Sequence, residues 1–362
     1  MRIGILTFHR ALNYGAILQC YALSETLKGQ GYDVEIIDYR PSYIEKYRKL
    51  FYWNDFKRLS LLSKIKNMCL LPLTYISKRK TTKLFDSFLD KHFSFSPVVK
   101  DSKDIQNNYD VIVFGSDQIW NPNICCGLDP IYYGQIPKGK TKFVSYAASI
   151  GTPQNIPNTY RDLIKLYMEQ FDSISVRESK TIDFLYNGKK EIELVLDPTL
   201  LASKNVFEKI AKKPTESKYV LLYMLEDDNR AISFAQRIAH QLNCKLYRLQ
   251  AIYSFHKPKK GYAELSSKSI TEFLGYFKYA EFVVNVSFHG TAFSIIFEKN
   301  FYTLQSKNFE RSRSILMQLS LTDRFVFSSD DINVKPIDYE MVNDKLKQIR
   351  ENSMNYLIGS IQ

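Results

Sequence analysis

The chain has 362 residues, 45% of them hydrophobic and 24% charged, which is an ordinary globular composition, and the length predicts about two domains. Its 14 glycines and 12 prolines exclude collagen-like and low-complexity classes. The formal net charge of +12 favours an anionic partner, either nucleic acid, a phosphate-bearing substrate or a membrane surface.

The cysteines and the first residues predict a cytoplasmic protein without a disulfide or zinc framework. The five cysteines have no CxxC spacing and no histidine pair at zinc-ligand spacing, so no metal is expected. The apolar stretch after Met1 is too short for a signal-peptide core and is typical of a first β-strand. The most lipid-like stretch, from Leu59 to Ile76, is interrupted by Lys64, Lys66 and Pro72; it cannot span a bilayer but could lie on one.

The N-terminal half alternates strand and helix patterns, which predicts a parallel sheet covered by helices on both faces. It opens with strand Arg2–Thr7, helix Gly15–Lys28 and strand Val34–Tyr39, a βαβ unit. After a basic segment, the pattern predicts strands Val111–Phe114, Phe143–Ala148, Ser173–Val176 and Glu193–Leu196, and helix Tyr160–Gln170.

A second alternating series follows at about Lys204. Its predicted strands are Tyr219–Leu225, Lys245–Leu249, Phe282–Val286 and Phe301–Leu304, and its helices are Asp228–Leu242, Ile270–Tyr279, Thr291–Glu298 and Ser312–Leu319. The sequence therefore predicts two Rossmann-like domains, 1–203 with a basic helical excursion at about 41–104, and 204–335. A helical segment, 336–362, contains a helix at Met341–Leu357 that could pack on either half.

Ligands of open parallel sheets bind beyond the carboxyl ends of strands, where helix N-termini present free N–H groups. Two such loops lie early in the chain. The first is the loop from His9 to Gly15. Its residues Asn13, Tyr14 and Gly15 would cap the helix and let the backbone approach a ligand. A helix cap followed by a turn glycine, without any ligand, explains them equally well. The loop from Gly115 to Pro122 is denser in polar groups than a turn needs, which favours function for Ser116, Asp117, Gln118 and Trp120.

Two further loops carry a histidine and an arginine. His289 follows a predicted strand at a helix N-terminus, where phosphate is stabilised and an imidazole can donate a hydrogen bond or a proton. The other histidines, His9 included, are expected to face solvent or to cap. Arg177 ends another strand beside Glu178; it can bind a carboxylate or phosphate with its fork of N–H groups, or form an ordinary surface ion pair.

Several catalytic motifs are absent from the sequence. It contains no GxGxxG, GxxxxGK[ST], HExxH or GxSxG, which argues against a dehydrogenase, a P-loop nucleotidase, a zinc protease and an α/β-hydrolase. A phosphate-handling transferase without a bound cofactor remains.

The motifs together resemble the polysaccharide pyruvyl transferase family. The matching pieces are Asn13–Ala16 with Leu18–Leu23, Gly115–Asn121, Tyr146–Gly151, Ser175–Glu178, Asp197–Thr199, Ser287–Ala292 and Arg311–Arg313. Their order and spacing are specific, whereas the segment from Ser42 to Asp104 carries none of them. In one departure, the position before Ser287, commonly Asp or Asn in relatives, is Val286, with Asn285 one residue earlier.

The resemblance implies a glycosyltransferase-B-like fold with two Rossmann-like domains facing across a cleft. It also implies transfer of pyruvate from phosphoenolpyruvate onto two sugar hydroxyls, giving a cyclic ketal and phosphate, with Arg177 and His289 serving the donor. The acceptor is expected to be a sugar of a surface polysaccharide or its lipid-linked precursor, and no cofactor is expected beyond the donor substrate.

Ketal formation needs an acid for the methylene carbon, cations for the donor and a base for the hydroxyl. We expect Arg177 to hold the donor carboxylate or phosphate, His289 to hold phosphate and shuttle a proton, and Asp117 or Glu178 to act as base. The remaining substrate-binding candidates are Ser287, Phe288, Gly290 and Thr291 around the histidine, with Arg311 and Arg313, for which a surface role is equally compatible.

The segment from Pro41 to His92 holds twelve lysines and arginines against four acidic residues, an excess of eight. Clustered basic and apolar residues suit an anionic lipid surface, so we interpret it as a peripheral membrane-facing arm; a solvated helical excursion fits equally well. Nucleic-acid binding is not expected, because no recognised motif accompanies the charge.

Two other functions compete with this interpretation. A nucleotide-sugar-dependent glycosyltransferase would share the architecture, and Glu264 and Glu272 have the E-x7-E spacing of some such enzymes, although their position before the strand Phe282–Val286 argues for coincidence. A non-catalytic assembly protein would bind neither donor, and the presence of the site residues disfavours it.

Overall fold

The computed structural model describes residues 1–48, 61–106, 108–186, 188, 190–250, 261–305, 309–327, 332 and 334–362. Two separate parallel sheets organise these residues, one in each half of the chain. Part of the predicted basic arm, 49–60, lies outside the described residues, as does His256.

The first sheet has the strand order β2-β1-β3-β4, with all neighbours parallel. Strands β5 and β6 pair with each other and continue the sheet through isolated bridges from Val144 to Ser173 and from Ala148 to Val176. The strands are β1 (Arg2–Leu6), β2 (Asp33–Ile36), β3 (Val111–Phe114), β4 (Lys142–Ser145), β5 (Ile174–Val176) and β6 (Ile192–Leu194).

The helices of this half begin with α1 (Tyr14–Gly29), whose N-terminus is capped by Asn13. The others are α2 (Ser42–Arg48), α3 (Leu61–His92), α4 (Pro122–Cys125), α5 (Asn158–Met168), α6 (Ser179–Leu185), α7 (Pro198–Leu201) and α8 (Lys204–Glu208). Short 3-10 turns lie at Ser102–Asp104, Pro130–Tyr133 and Pro153–Asn155.

The second sheet has six parallel strands in the order β12-β11-β10-β7-β8-β9. They are β7 (Tyr219–Tyr223), β8 (Lys245–Gln250), β9 (Ala263–Ser266), β10 (Phe282–Asn285), β11 (Asn300–Leu304) and β12 (Phe325–Val326). The helices are α9 (Asn229–Gln241), α10 (Ile270–Lys278), α11 (Phe288–Ile296) and α12 (Glu310–Gln318), followed by a 3-10 turn at Thr322–Arg324 and α13 (Tyr339–Ile361).

The fold class is α/β, with one Rossmann-like parallel sheet in each half, as the alternating pattern predicts. The sequence did not predict β9 or β12, because β9 is a short, half-exposed edge strand and β12 has two residues. The prediction for α11 was also wrong at its start, which lies at Phe288 rather than Thr291 because Ser287 caps it.

Of the apolar clusters in the described part of the chain, the largest contains residues of both halves. Tyr14 on α1 stacks on Phe273 of α10 with ring centroids 4.4 Å apart, and Phe85 on α3 packs against the same tyrosine. The long helix α3 is therefore anchored by its C-terminal part, which also hydrogen-bonds from Thr81 to Ser267 at 3.0 Å. This part of the basic excursion is buried in the protein, while Arg79, Lys80 and Lys83 are exposed.

The C-terminal helix α13 also bridges the halves. At its start the Tyr339 hydroxyl donates to the Lys299 carbonyl at 2.6 Å, and near its end the Tyr356 hydroxyl donates to the Ser145 carbonyl of β4 at 3.1 Å. The helix thus packs on both halves, whereas its pattern predicted only that it could pack on either one. Among the described residues, no helix is long and apolar enough to cross a membrane.

Candidate functional site

Arg177 lies at the carboxyl end of β5, with only 2% of its side chain exposed. Its Nη1 donates to Asp197 Oδ2 at 2.6 Å, and its Nε donates to Glu178 Oε1 at 3.2 Å. Its Nη2 lies 3.7 Å from Asp117 Oδ1 and has no hydrogen-bond partner within the described part of the chain. Three carboxylates therefore fix the guanidinium and leave one of its nitrogens available.

The two carboxylates predicted as alternative bases have different surroundings. Glu178 is buried, and its Oε1 also accepts a hydrogen bond from Ser149 Oγ at 2.9 Å. Its contacts with Arg177 and Ser149 make it a support for the arginine. The Asp117 side chain is 14% exposed and makes no hydrogen bond to Arg177. Of the two, Asp117 is the carboxylate open to an approaching hydroxyl.

The N-terminus of α11 is built by a compact set of contacts at the end of β10. Ser287 Oγ accepts from the Gly290 N–H at 3.0 Å, and Asn285 Oδ1 accepts from the Ser287 N–H at 3.3 Å and the Thr291 hydroxyl at 3.2 Å. A Cβ on Gly290 would lie 2.7 Å from that of Asn285, so the helix packs closely on the strand because this residue is glycine. Asn285 thus supplies the polar contacts of this turn, one position before Val286, where relatives commonly have Asp or Asn.

His289, near the start of α11, projects from the C-terminal half onto the N-terminal half. A Cβ on Gly15 would lie 2.1 Å from its Nδ1, so the ring occupies the space that this glycine leaves at the start of α1. Its Nε2 lies 4.0 Å from Asp197 Oδ2 and has no hydrogen-bond partner among the described residues. Burial lowers the pKa of His289 to about 4, although Asp197 and Asp117 favour the charged form. The ring is therefore neutral at pH 7.

The ring of Phe288 lies near two arginines that come from different halves. The Cζ of Arg177 is 4.8 Å from the ring centroid, and the Cζ of Arg311, on α12, is 5.9 Å from it. Burial lowers the pKa of Arg311, and repulsion from Arg177 lowers it further. An anion between these two guanidiniums would relieve that repulsion.

The structure does not place every predicted residue at this point. Trp120 is fully buried, donates to the Tyr132 carbonyl at 2.8 Å and stacks on Tyr133, so it belongs to the core. Gln118 accepts a hydrogen bond from Asn121 at 2.7 Å, beneath Gly151. Arg313 is exposed on α12.

Three other candidates support the site without facing it. Asn13 caps α1 through the N–H groups of Gly15 and Ala16, and the Tyr14 hydroxyl donates to the Lys268 carbonyl at 2.8 Å, which joins the halves. The Ser116 hydroxyl lies 3.2 Å from Asp197 Oδ2 and donates toward it.

Sequence reasoning missed two buried polar residues. Asp197 was noted only as part of a motif, yet it contacts Arg177 and faces His289; an Asp-Pro pair after a predicted strand was the available signal. His9 was expected to face solvent or to cap, which is wrong, because it is buried with Nε2 3.0 Å from Asp38 Oδ1.

The E-x7-E pair has structural contacts. Glu264 accepts hydrogen bonds from Arg248 and Gln250, and Glu272 forms a capping box with Ser269 at the start of α10. Within the described ranges, no group of three or more His, Cys, Asp or Glu side chains is arranged to hold a metal ion.

Comparison with known proteins decides the family. The family model for polysaccharide pyruvyl transferases matches residues 13–308, which include Arg177, Asp197 and His289 but not Arg311 or Arg313. The chain belongs to the polysaccharide pyruvyl transferase family. No curated protein matches this family member.

Three solved structures similar to this pyruvyl transferase family member are distant from it in sequence. S. aureus MnaA with UDP is 11% identical, with 98% of this chain and 89% of that chain covered and a TM-score of 0.48. UDP-GlcNAc 2-epimerase from Methanocaldococcus jannaschii is 13% identical, with coverages of 96% and 92% and a TM-score of 0.45. The glycosyltransferase SnogD from Streptomyces nogalater is 9% identical, with coverages of 98% and 95% and a TM-score of 0.43.

The burial of neutral His289 predicts a pH dependence of stability. Its folded-state pKa of about 4 lies below the ordinary value of 6.5, so the unfolded chain takes up a proton as pH falls through this window while the folded chain does not. Between about pH 7.5 and about pH 5, this difference costs the folded protein about 2 kcal/mol. Over the same interval, the free energy of unfolding of His289→Gln should fall by about 2 kcal/mol less than that of the wild type, as measured by chemical denaturation. His240→Gln, at an exposed position on α9, should keep the wild-type slope, and equal slopes for both variants would contradict the assignment.

Proposed function

We propose that the protein transfers the pyruvyl group of phosphoenolpyruvate onto two hydroxyls of a sugar, forming a cyclic ketal and releasing phosphate. Membership of the pyruvyl transferase family supports the transferase chemistry. The observation that carries the choice of donor is the convergence of Arg177 and Arg311 on Phe288, next to His289 at a helix N-terminus. Such a set suits a small ligand with a carboxylate and a phosphate.

The reaction balances without a redox partner. The methylene carbon of the donor gains a proton, and the carbon that carries the phosphate forms bonds to two sugar oxygens while its bond to the phosphate oxygen breaks. The two protons lost by the hydroxyls end on the new methyl group and on the released phosphate. The protein therefore has to hold anions and move protons, and it does not have to supply electrons.

The side chains divide this work by position. Arg177 presents its unpartnered Nη2 to the donor, and Arg311 provides a second cation from the other half. His289 lies against the donor phosphate and carries a proton to the methylene carbon. Asp117 accepts the proton of the attacking hydroxyl, because Glu178 is occupied by Arg177 and Ser149.

The proposed acceptor is a sugar of a surface polysaccharide or of its lipid-linked precursor, met at the cytoplasmic face of a membrane. Helix α3 offers a surface for peripheral membrane contact, since Tyr75 and Ile76 are exposed large hydrophobic side chains and Arg79, Lys80 and Lys83 are exposed cations close by. Apolar and basic side chains presented together suit an anionic interface.

Calorimetric titration with phosphoenolpyruvate, beside a panel of nucleotide sugars, tests the donor. We expect saturable binding of phosphoenolpyruvate that Arg311→Gln weakens by about tenfold or more, because a charge-assisted hydrogen bond is lost. Arg230→Gln, which removes an exposed arginine paired with Asp228, should bind as the wild type does. Binding of a nucleotide sugar with none of phosphoenolpyruvate would instead assign the protein to the glycosyltransferases.

A further inference from the structure

Asp197 lies next to both residues that the proposed function assigns to the donor, Arg177 of its own half and His289 of the other. It follows β6 and caps α7, where its Oδ1 accepts from the Thr199 N–H at 2.9 Å and the Thr199 hydroxyl at 2.7 Å. Its Oδ2 accepts from Arg177 Nη1 at 2.6 Å and lies 4.0 Å from Nε2 of His289, which comes from the other half. One carboxylate oxygen thus serves the local turn, and the other faces the site.

We propose that Asp197 is a positioning residue that fixes Arg177 and balances the positive charge that His289 gains when the donor binds. This inference rests on the proposed function. It assigns Asp197 no contact with substrate; the residue acts through its two neighbours.

The cap alone does not account for the contacts of Asp197. Asp129 is a second buried Asp-Pro cap in the same half, and its Oδ1 accepts from the Ile131 N–H at 3.0 Å. Its Oδ2 accepts from the Tyr39 hydroxyl at 2.8 Å and from the Tyr43 hydroxyl, both neutral donors. Asp197 differs because it faces an arginine and a histidine. Burying a carboxylate costs desolvation free energy, and pairing with a positive charge has to offset that cost.

The surroundings of His289 explain why a counter-charge is needed. The charged groups that face the ring are Asp197, Asp117, Arg177 and Arg311, with uncharged Gly15 and Phe288 completing the contacts. Burial favours the neutral ring, and its Nε2 lies 4.0 Å from Asp197 Oδ2, beyond hydrogen-bond distance. A donor phosphate beside the ring favours the imidazolium, because an opposite charge within about 4–6 Å stabilises the charged form.

The proton balance of this step is simple. Nε2 takes a proton from solvent as the donor binds, and the resulting N–H bond breaks when the proton passes to the methylene carbon. Of the two protons lost by the sugar hydroxyls, one ends on the released phosphate and the other returns to solvent, which replaces the proton that Nε2 took up. Phosphoenolpyruvate binding is therefore coupled to proton uptake, and its affinity rises as pH falls.

The test is calorimetry of phosphoenolpyruvate binding in buffers of different ionisation enthalpy, with Asp197→Asn and Asp129→Asn compared. Asparagine keeps the Oδ1 cap in both variants. We expect the wild type and Asp129→Asn to take up close to one proton per ligand, and Asp197→Asn to take up close to none. Proton uptake by phosphoenolpyruvate itself is the same in all three experiments, so a difference in proton uptake between them comes from groups of the protein.

Three results are decisive. Loss of proton uptake in Asp197→Asn alone, restored in Asp197→Glu, supports the proposal. Equal proton uptake and equal affinity in Asp197→Asn and Asp129→Asn would overturn it while leaving the proposed donor intact. Absence of phosphoenolpyruvate binding in the wild type would overturn the proposed function and this inference with it.

A second measurement needs no variant at Asp197. Nitrogen-15 histidine spectra of the wild type, with the His289 signal assigned by His289→Gln, should show a neutral ring in the free protein and a ring protonated at both nitrogens with saturating phosphoenolpyruvate. A ring that stays neutral in the complex would contradict the proposal even if Asp197→Asn failed to fold.

Discussion

Replacement of Arg177 by lysine is expected to weaken phosphoenolpyruvate binding by about a hundredfold and to lower the free energy of unfolding by about 3 kcal/mol. The guanidinium hydrogen-bonds to Asp197 and Glu178 through two different nitrogens, and its Nη2, 3.7 Å from Asp117, makes no hydrogen bond. A lysine ammonium is a single point charge on a flexible stem, so it cannot reach both carboxylates and the donor at once. The carboxylates left unpaired remain buried.

Calorimetry and chemical denaturation measure the two effects separately. Arg230→Lys is the control, because Arg230 forms an exposed pair with Asp228 at 2.8 Å and such pairs contribute little. A lysine variant at position 177 that binds phosphoenolpyruvate as the wild type does would show that the arginine fork is not a donor contact.

Gly15→Ala is expected to reduce phosphoenolpyruvate affinity by about a hundredfold, although the substitution adds only one methyl group. The new Cβ would lie 2.1 Å from Nδ1 and 2.3 Å from Cγ of His289, both well inside contact distance. The imidazole belongs to the other half of the protein, so either the ring leaves its position or the halves move apart. Displacements of this size at a reacting group cost about two orders of magnitude.

The same helix offers the matched control. Gly29 ends α1, and a Cβ there would meet nothing within 4 Å. Gly29→Ala should therefore bind phosphoenolpyruvate as the wild type does, with unchanged or slightly increased stability in thermal unfolding. Similar affinities for the two alanine variants would show that the contact between Gly15 and His289 does not hold the site together.

The architecture was predictable from the sequence wherever local periodicity was strong. Val111–Phe114 is the predicted strand without change, and most other elements differ from their predictions by one to three residues at an end. The failures are short elements and caps: β12 has too few residues to show a period, and Ser287 begins α11 earlier than the apolar pattern does.

The site was predictable only in part. Strand ends identified Arg177 and His289, because loops at the carboxyl edge of parallel sheets hold ligands. The sequence could not show that Asp197 joins them, since its contacts with Arg177 and His289 span 20 and 92 positions and depend on how the halves pack. The prediction of Trp120 as a binding residue was wrong for a different reason. The loop around it is polar, but its indole is buried and hydrogen-bonds within the core.

The closeness of the two halves also affects which nucleophile can react. The small pocket between them is lined by Arg177, Asp197, Phe288 and Arg311, and the first three are buried. Under the proposed function, a donor held there would be shielded from bulk water, so that the sugar hydroxyl attacks the donor carbon and hydrolysis to free pyruvate is suppressed.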